Sequence, residues 1–201
     1  METEDLQRDD DFEDRVFEGL QLVSAEAGGF PLTGKTFDSC RFVNCQFDGT
    51  RLDGSNFRDC SFSGCRLTVV SLRKTRFRQV AFVDCRIGGI DWSGIELGNP
   101  GMSFEDCMLD SCSFFKQKLA GLVFSACRLV ACDFTECDLS RAAFGACVFS
   151  DGGFSKCNLR DADFVSAEGY SIDPASNQLR GARFRFPEAL SLLKYLGIKL
   201  E

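Results

Sequence analysis

Large apolar residues recur along this chain with a period of five. The clearest stretch is 123–167, where Phe124, Leu129, Phe134, Leu139, Phe144, Phe149, Phe154, Leu159 and Phe164 fall in one phase. Two places before each centre sits a small or apolar residue, as in Cys127, Cys132, Cys137, Ala142, Cys147, Cys157 and Ala162. The remaining positions are mostly polar, charged or glycine. A helix repeats its faces every 3.6 residues and a strand every two, so a period of five is neither. It fits a chain that turns a corner every five residues, with two positions of each unit pointing inward. Stacked coils of this kind bury a continuous column of side chains, and the periodicity predicts a solenoid.

The phase begins at Phe12 and Phe17 and runs to Trp92 and Leu97, with Ala27 a weak member. The next centre is Phe104, seven residues after Leu97 instead of five. The phase then holds to Phe164 and is kept by Leu179 and Phe184. Eighteen of the 21 phenylalanines fall on central positions, which rules out chance alignment. About eight coils follow; at ~4.8 Å per strand layer the rod is ~40 Å long.

Three segments lie outside the repeat. Residues 1–11 are expected to be an acidic, disordered tail, residues 12–184 the repeat, and residues 185–201 a C-terminal helix and end segment. Extra residues near 97–103 include Asn99-Pro100-Gly101, which is turn chemistry. They read either as a tolerated surface insertion or as a projecting recognition loop formed by Gly98, Asn99, Pro100, Gly101 and Met102. In the C-terminal segment, Pro187 suits a first helical position, Glu188 the positive end, Lys194 the negative end and Gly197 a stop. Leu190, Leu193 and Leu196, with Leu192, form an apolar stripe. It reads as a cap for the last coil, or as a cap that also pairs two chains. Ile198 and Leu200 could add a strand.

Charge is unevenly placed. The formal net charge is −7, and residues 1–14 carry all of it with eight acids and one base. Residues 35–103 hold ten bases against seven acids, and residues 104–168 ten acids against six bases. The basic cluster Arg73, Lys74, Arg76 and Arg78 reads as a solvated wall or a protein-contact patch. Direct nucleic-acid binding is not expected, because the phenylalanines belong to the core and stacking platforms are lacking. No apolar run is long enough to span a membrane, and the acidic start is unlike a signal peptide. A cytoplasmic location is therefore expected.

All twelve cysteines sit two before a central position, the slot that Ser55 and Ala162 also fill. They read as small buried residues rather than as a disulfide framework or metal ligands. The chain has no histidine, which removes Ser-His and Cys-His nucleophiles and most zinc patterns. No phosphate-binding glycine loop is present. Neither enzyme activity nor a cofactor is expected.

The units CDFTE, CDLSR, CNLRD and ADFVS resemble the pentapeptide-repeat family, A-[DN]-[LF]-x-x. That resemblance implies an all-β solenoid, a right-handed quadrilateral β-helix with a short C-terminal capping or dimerisation helix. RFVDCRIGGIDWSG (81–94), the break after it, SFEDCML (103–109) and NQLRGARFRFPEALSLLKYLGIKL (177–200) together are similar to the topoisomerase-protecting branch, which includes the Qnr, MfpA, AlbG and McbG proteins. The resemblance implies a homodimer joined through C-terminal helices, with Ala189, Leu190, Leu192, Leu193, Tyr195, Leu196 and Ile198 as interface candidates. It also implies a DNA-mimicking protein partner of DNA gyrase or topoisomerase IV, relieving a drug or toxin. The acidic candidates are Glu105, Asp106, Asp110, Asp133, Glu136, Asp138, Asp161 and Asp163. The sequence departs from such mimics in that its coils are not acidic throughout. The alternative is a structural or interaction scaffold with a different protein partner.

Overall fold

The computed structural model describes residues 6, 9–22, 32–96 and 101–197. Strands of three residues follow one another in the chain, each with its central residue buried and its flanks facing outward. Every strand pairs in parallel with the strand one coil away. The result is a four-sided, all-β parallel solenoid. The first side holds Asp11–Glu13, Thr36–Asp38, Asn56–Arg58 and Arg76–Arg78. It continues as single bridges through Lys118, Asp138, Asn158 and Gln178. The second side is a sheet of seven strands from Val16–Glu18 to Ala143–Gly145. The third side runs from Arg66–Thr68 to Val148–Ser150. The fourth is held by bridges such as Arg51 to Ser71 and Ser113 to Asp133.

The centres of the second side form one continuous aromatic column: Phe17, Phe42, Phe62, Phe82, Phe104, Phe124, Phe144, Phe164 and Phe184. Neighbouring rings lie 4.6–5.4 Å apart and nearly parallel. Rings at strand-layer spacing bury their faces against one another and gain stacking beyond plain area burial.

Corners explain the slot. Eleven of the twelve thiols donate to a central carbonyl of the preceding coil, as Cys45 to Phe17 at 3.2 Å, Cys65 to Phe42 at 3.3 Å and Cys85 to Phe62 at 3.4 Å, while Cys147 donates to Gly145. Thr50, Ser55, Thr75 and Asn177 make the same bond to Leu22, Leu32, Leu52 and Phe154. The slot therefore accepts compact side chains, and those that carry a donor spend it on this carbonyl, which is why Cys, Ser and Thr interchange there. All twelve cysteines are buried and unbridged. Cys85, Cys132 and Cys147 are pushed up, first by the neighbouring thiols Cys107, Cys112 and Cys127 and then by burial.

Two features depart from the plain period. Phe12 pairs with Phe37 and Phe17 with Phe42, a step of 25 residues, five more than the step of 20 in the next coil. An insertion of five preserves the phase, and so it is invisible to a five-residue pattern. It falls between Leu22 and Leu32, which pair with Phe47 and Leu52 of the next coil. Of residues 1–11, expected to be a tail, residues 6 and 9–11 lie among the described ones. Leu6 is buried in the core, and the buried Lys35 ammonium donates to the Asp9 carbonyl at 2.6 Å and the Asp10 carboxylate at 3.0 Å.

At the other end Glu188–Leu196 is a 3₁₀ helix closed by Gly197 in the left-handed region at φ 67°. The helix ends at the glycine that the sequence marks as its stop. Leu192 packs with Leu179 and Phe184 against the last coil. Tyr195 hydroxyl meets Ser171. Tyr170 is buried, and its hydroxyl is pushed up by burial and then by Glu188.

Candidate partner-binding surface

Each coil turns its corners through a residue with positive φ, for example Asp84 at 51°, Asp106 at 51°, Lys116 at 59° and Asp161 at 57°. Aspartate and asparagine tolerate this region better than most residues, and glycine fits it without strain. The corners thus project side chains at strand-layer spacing on a backbone that is locked by the ladder.

The structure distributes the eight acidic candidates around all four sides. Glu105 lies on the second side, Asp106 at its corner and Asp110 on the third side. Asp133 accepts from Thr135 N at 2.8 Å, Asp138 from Ser140 N at 3.0 Å and Asp163 from Val165 N at 3.0 Å. These three carboxylates therefore close local turns, and the family's Asp before Leu or Phe is turn chemistry. Asp163 is also paired with Arg183 at 3.0 Å, and Asp138 accepts from Asn158 at 2.9 Å. Glu136 lies between Lys116 at 3.5 Å and Lys156 at 4.0 Å. Asp161 lines a cavity with Arg160 and Arg180.

What the structure does bring together is a shorter row. Asp84 and Asp106 occupy the same corner of successive coils, since Val83 pairs with Glu105. Asp84, Glu105 and Asp106 are all exposed. Asp84 was not singled out by the sequence; its place above Cys85 in the same slot pattern as Asp106 above Cys107 is the signal that would have found it. Asp110 stands apart from this row at the far end of the third-side strand, where it accepts from Ser111 at 2.8 Å.

Of the loop candidates, Gly98, Asn99 and Pro100 lie outside the described residues. Gly101 has φ 51° and packs so closely over Gln79 that a Cβ there would fall 1.9 Å from its amide oxygen. Met102 is buried, filling the slot two before Phe104, and so is a core residue rather than a surface contact. Among the C-terminal candidates, Leu190, Tyr195 and Leu196 are exposed, Ala189, Leu192 and Leu193 are half-buried, and Ile198 lies outside the described residues. Phe186, next to them, is the most exposed large apolar residue of the described chain at 74%. Among the described residues no set of three cysteine, aspartate or glutamate side chains is placed to hold a metal, and no helix is long and apolar enough to cross a membrane.

A four-sided parallel solenoid with this slot chemistry defines a class of repeat scaffold whose outward positions are free to vary. Two family models match the chain, a pentapeptide repeat region over residues 35–114 and eight copies of the pentapeptide repeat over residues 127–164. The chain belongs to the pentapeptide-repeat family. A comparison with curated protein sequences found no match. Among solved structures it is similar to full-length QnrB1, a plasmid-mediated fluoroquinolone resistance protein, at 20% identity and TM-score 0.35, over 94% of this chain and 100% of that one. It is also similar to HetL of the cyanobacterium Nostoc, a pentapeptide repeat protein involved in heterocyst differentiation regulation. That match has 15% identity and TM-score 0.46, over 92% of this chain and 93% of that one.

Proposed function

We propose that this protein is a non-enzymatic, cytoplasmic scaffold that engages DNA gyrase or topoisomerase IV and relieves its poisoning by a drug or toxin. The reading is supported by the resemblance of 81–109 and 177–200 to the topoisomerase-protecting branch. The observation that carries it is the exposed carboxylate row of Asp84, Glu105 and Asp106. Carboxylates fixed at strand-layer spacing can approximate part of a phosphate row, and a preformed rod loses little entropy on docking. Attraction to a basic DNA-binding groove would be strongly salt-sensitive, as DNA binding is. Exposed Phe186, Leu190, Tyr195 and Leu196 at one end of the rod support a homodimer through the C-terminal segment.

The test is a supercoiling and cleavage assay with gyrase and a poison, with and without the full chain. The wild type should restore supercoiling. Removing Asn99 and Pro100 brings the step from Leu97 to Phe104 back to five residues, keeps the core phase, and should weaken protection if the insertion makes a contact. Reversing Asp84, Glu105 and Asp106 to lysine should abolish it. Lysine is accommodated at such corners, as Lys74, Lys116 and Lys156 show with φ of 58°, 59° and 55°. If the wild type neither protects nor inhibits either enzyme at low salt and large excess, the scaffold has another partner.

A further inference from the structure

The corner between the third and fourth sides carries one residue that the fold does not want. Its column reads Gly49, Val69, Gly89, Ser111, Ala131 and Asp151, all with positive φ. Val69 has φ 53°, held there by its N–H bond to Gly88 carbonyl at 2.9 Å. It is the one β-branched residue among those at positive φ in the described chain. For such a side chain the left-handed region is a genuine outlier, and strain of this kind is kept where the surroundings use it. Burial does not explain it, because Val69 is 67% exposed.

Beside Val69 the third side has a matching relief. Arg66, Arg86, Met108 and Arg128 form one column, and Thr68, Gly88 and Asp110 the parallel one. Gly88 leaves a gap between Thr68 and Asp110, and a cavity of ≈ 220 Å³ opens there over Ile87. Met108 stands 41% exposed at its edge. Arg66 is neutralised by Asp48. Arg86 and Arg128 have no carboxylate within ion-pair distance among the described residues, and Asp110, the one acid on the cavity wall, is bonded to Ser111.

We infer that Val69, the Gly88 cavity and Arg86 form a docking surface for an extended acidic protein segment that carries an apolar anchor. The apolar residue enters the cavity over Ile87 beside Met108, with Val69 flanking it at the corner next to Thr68, and its acidic neighbours pair with Arg86 and Arg128. The free guanidiniums of Arg86 and Arg128, on either side of Met108, give the planar, two-pronged contacts that carboxylates accept, which is why an acidic occupant fits and a basic one does not. The surface does not include the carboxylate row proposed for topoisomerase binding, and its test does not depend on that reading.

The experiment selects random displayed peptides on the full-length chain and measures the winners by fluorescence anisotropy. The expected consensus joins aspartate or glutamate to one large apolar residue. Val69→Asn, Arg86→Glu and Met108→Ser should each weaken it about thirtyfold or more, the loss that marks a binding hot spot. Val123→Ser, on the second side, should leave it unchanged. Because asparagine tolerates positive φ, Val69→Asn should also raise Tm by about 2–4 °C. No enriched consensus, a basic one, or wild-type binding by Val69→Asn overturns the inference, as does a fall in Tm. If sedimentation shows that these substitutions dissociate the protein itself, the occupant is a second copy and the acidic-segment assignment is wrong. Supercoiling protection by Val69→Asn should match the wild type, which separates this surface from the topoisomerase one.

Discussion

Phe77 and Trp92 lie with ring centres 5.9 Å apart and planes tilted by 48°, and at this contact the second aromatic column of the core changes side. Below it the rings of Phe12, Phe37, Phe57 and Phe77 stack on the first side. Above it Trp92, Phe114, Phe134 and Phe154 stack on the fourth, while the first side continues as Leu119, Leu139 and Leu159. Each column meets the second-side rings edge to face, as Phe82 with Trp92 at 5.9 Å and 88°. A coil of fixed cross-section has room for a limited volume, so a ring gained on one side is matched by an aliphatic residue on another.

Trp92 is the joint of the two columns and the one tryptophan of the chain. Trp92→Ala should cost about 3–5 kcal/mol, as large aromatic truncations in cores do. Trp92→Phe should cost less than about 1.5 kcal/mol, since Phe114 and Phe134 already fill the equivalent place. Denaturant melts of the two variants measure both. Comparable losses would mean that ring volume is not what this position supplies.

How much of this was legible in the sequence depends on what sets each feature. The centres and the cysteine slot follow from a strict period, so the column from Phe17 to Phe184 and the burial of all twelve cysteines could be read directly. The extra five residues in the first coil could not, because five is the period itself. Asp133, Asp138 and Asp163 were read as surface charge, yet each spends an oxygen on a turn N–H that composition does not reveal. Asp84 was passed over because a charge tally along the chain hides which residues share a corner. Lys35 holds Asp9 and Asp10 through contacts 25 or more residues apart, beyond any local pattern.

The cysteines should be unreactive in the folded protein. They are buried and donate to carbonyls, so a reagent reaches them only when the coil opens. Thiol titration should be slow in the native state and reach twelve on denaturation. Cys85→Ser should fold, because Ser55 and Thr75 fill equivalent slots. Rapid native labelling of several thiols would contradict this packing.

Asp53 supplies an acid-sensitive contact. Burial raises its carboxyl, but the Ser71 hydroxyl, Arg73 N–H and Arg51 together hold it below the usual carboxylate range. Ser71 donates to it at 2.5 Å and Arg73 N at 3.0 Å. A depressed pKa means that the charged form stabilises the fold. The contribution is present above the unfolded value of about 3.9 and is lost as pH falls through the folded one. Asp53→Asn should therefore lower stability at pH 7 and flatten its decline in acid, as read by melts across pH. An unchanged slope would remove Asp53 from the account.

The C-terminal helix separates two roles that its leucines share in the sequence. Leu192 packs with Phe184 and Leu179 on the last coil, whereas Leu196 is 61% exposed and Leu190 37%. If the exposed face joins two chains, the two residues should respond differently to charge. Leu196→Asp should leave the melting profile close to wild type at low protein concentration and give monomers in sedimentation velocity. Leu192→Asp buries a carboxylate against the end of the core and should lower stability by several kcal/mol, whatever the oligomeric state. Phe186→Ser tests the rim of the same face and should weaken association in the same direction as Leu196→Asp. A wild type that is already monomeric at micromolar concentration would leave the helix as a cap alone, with Leu192 its working residue and Leu196 exposed for no structural reason.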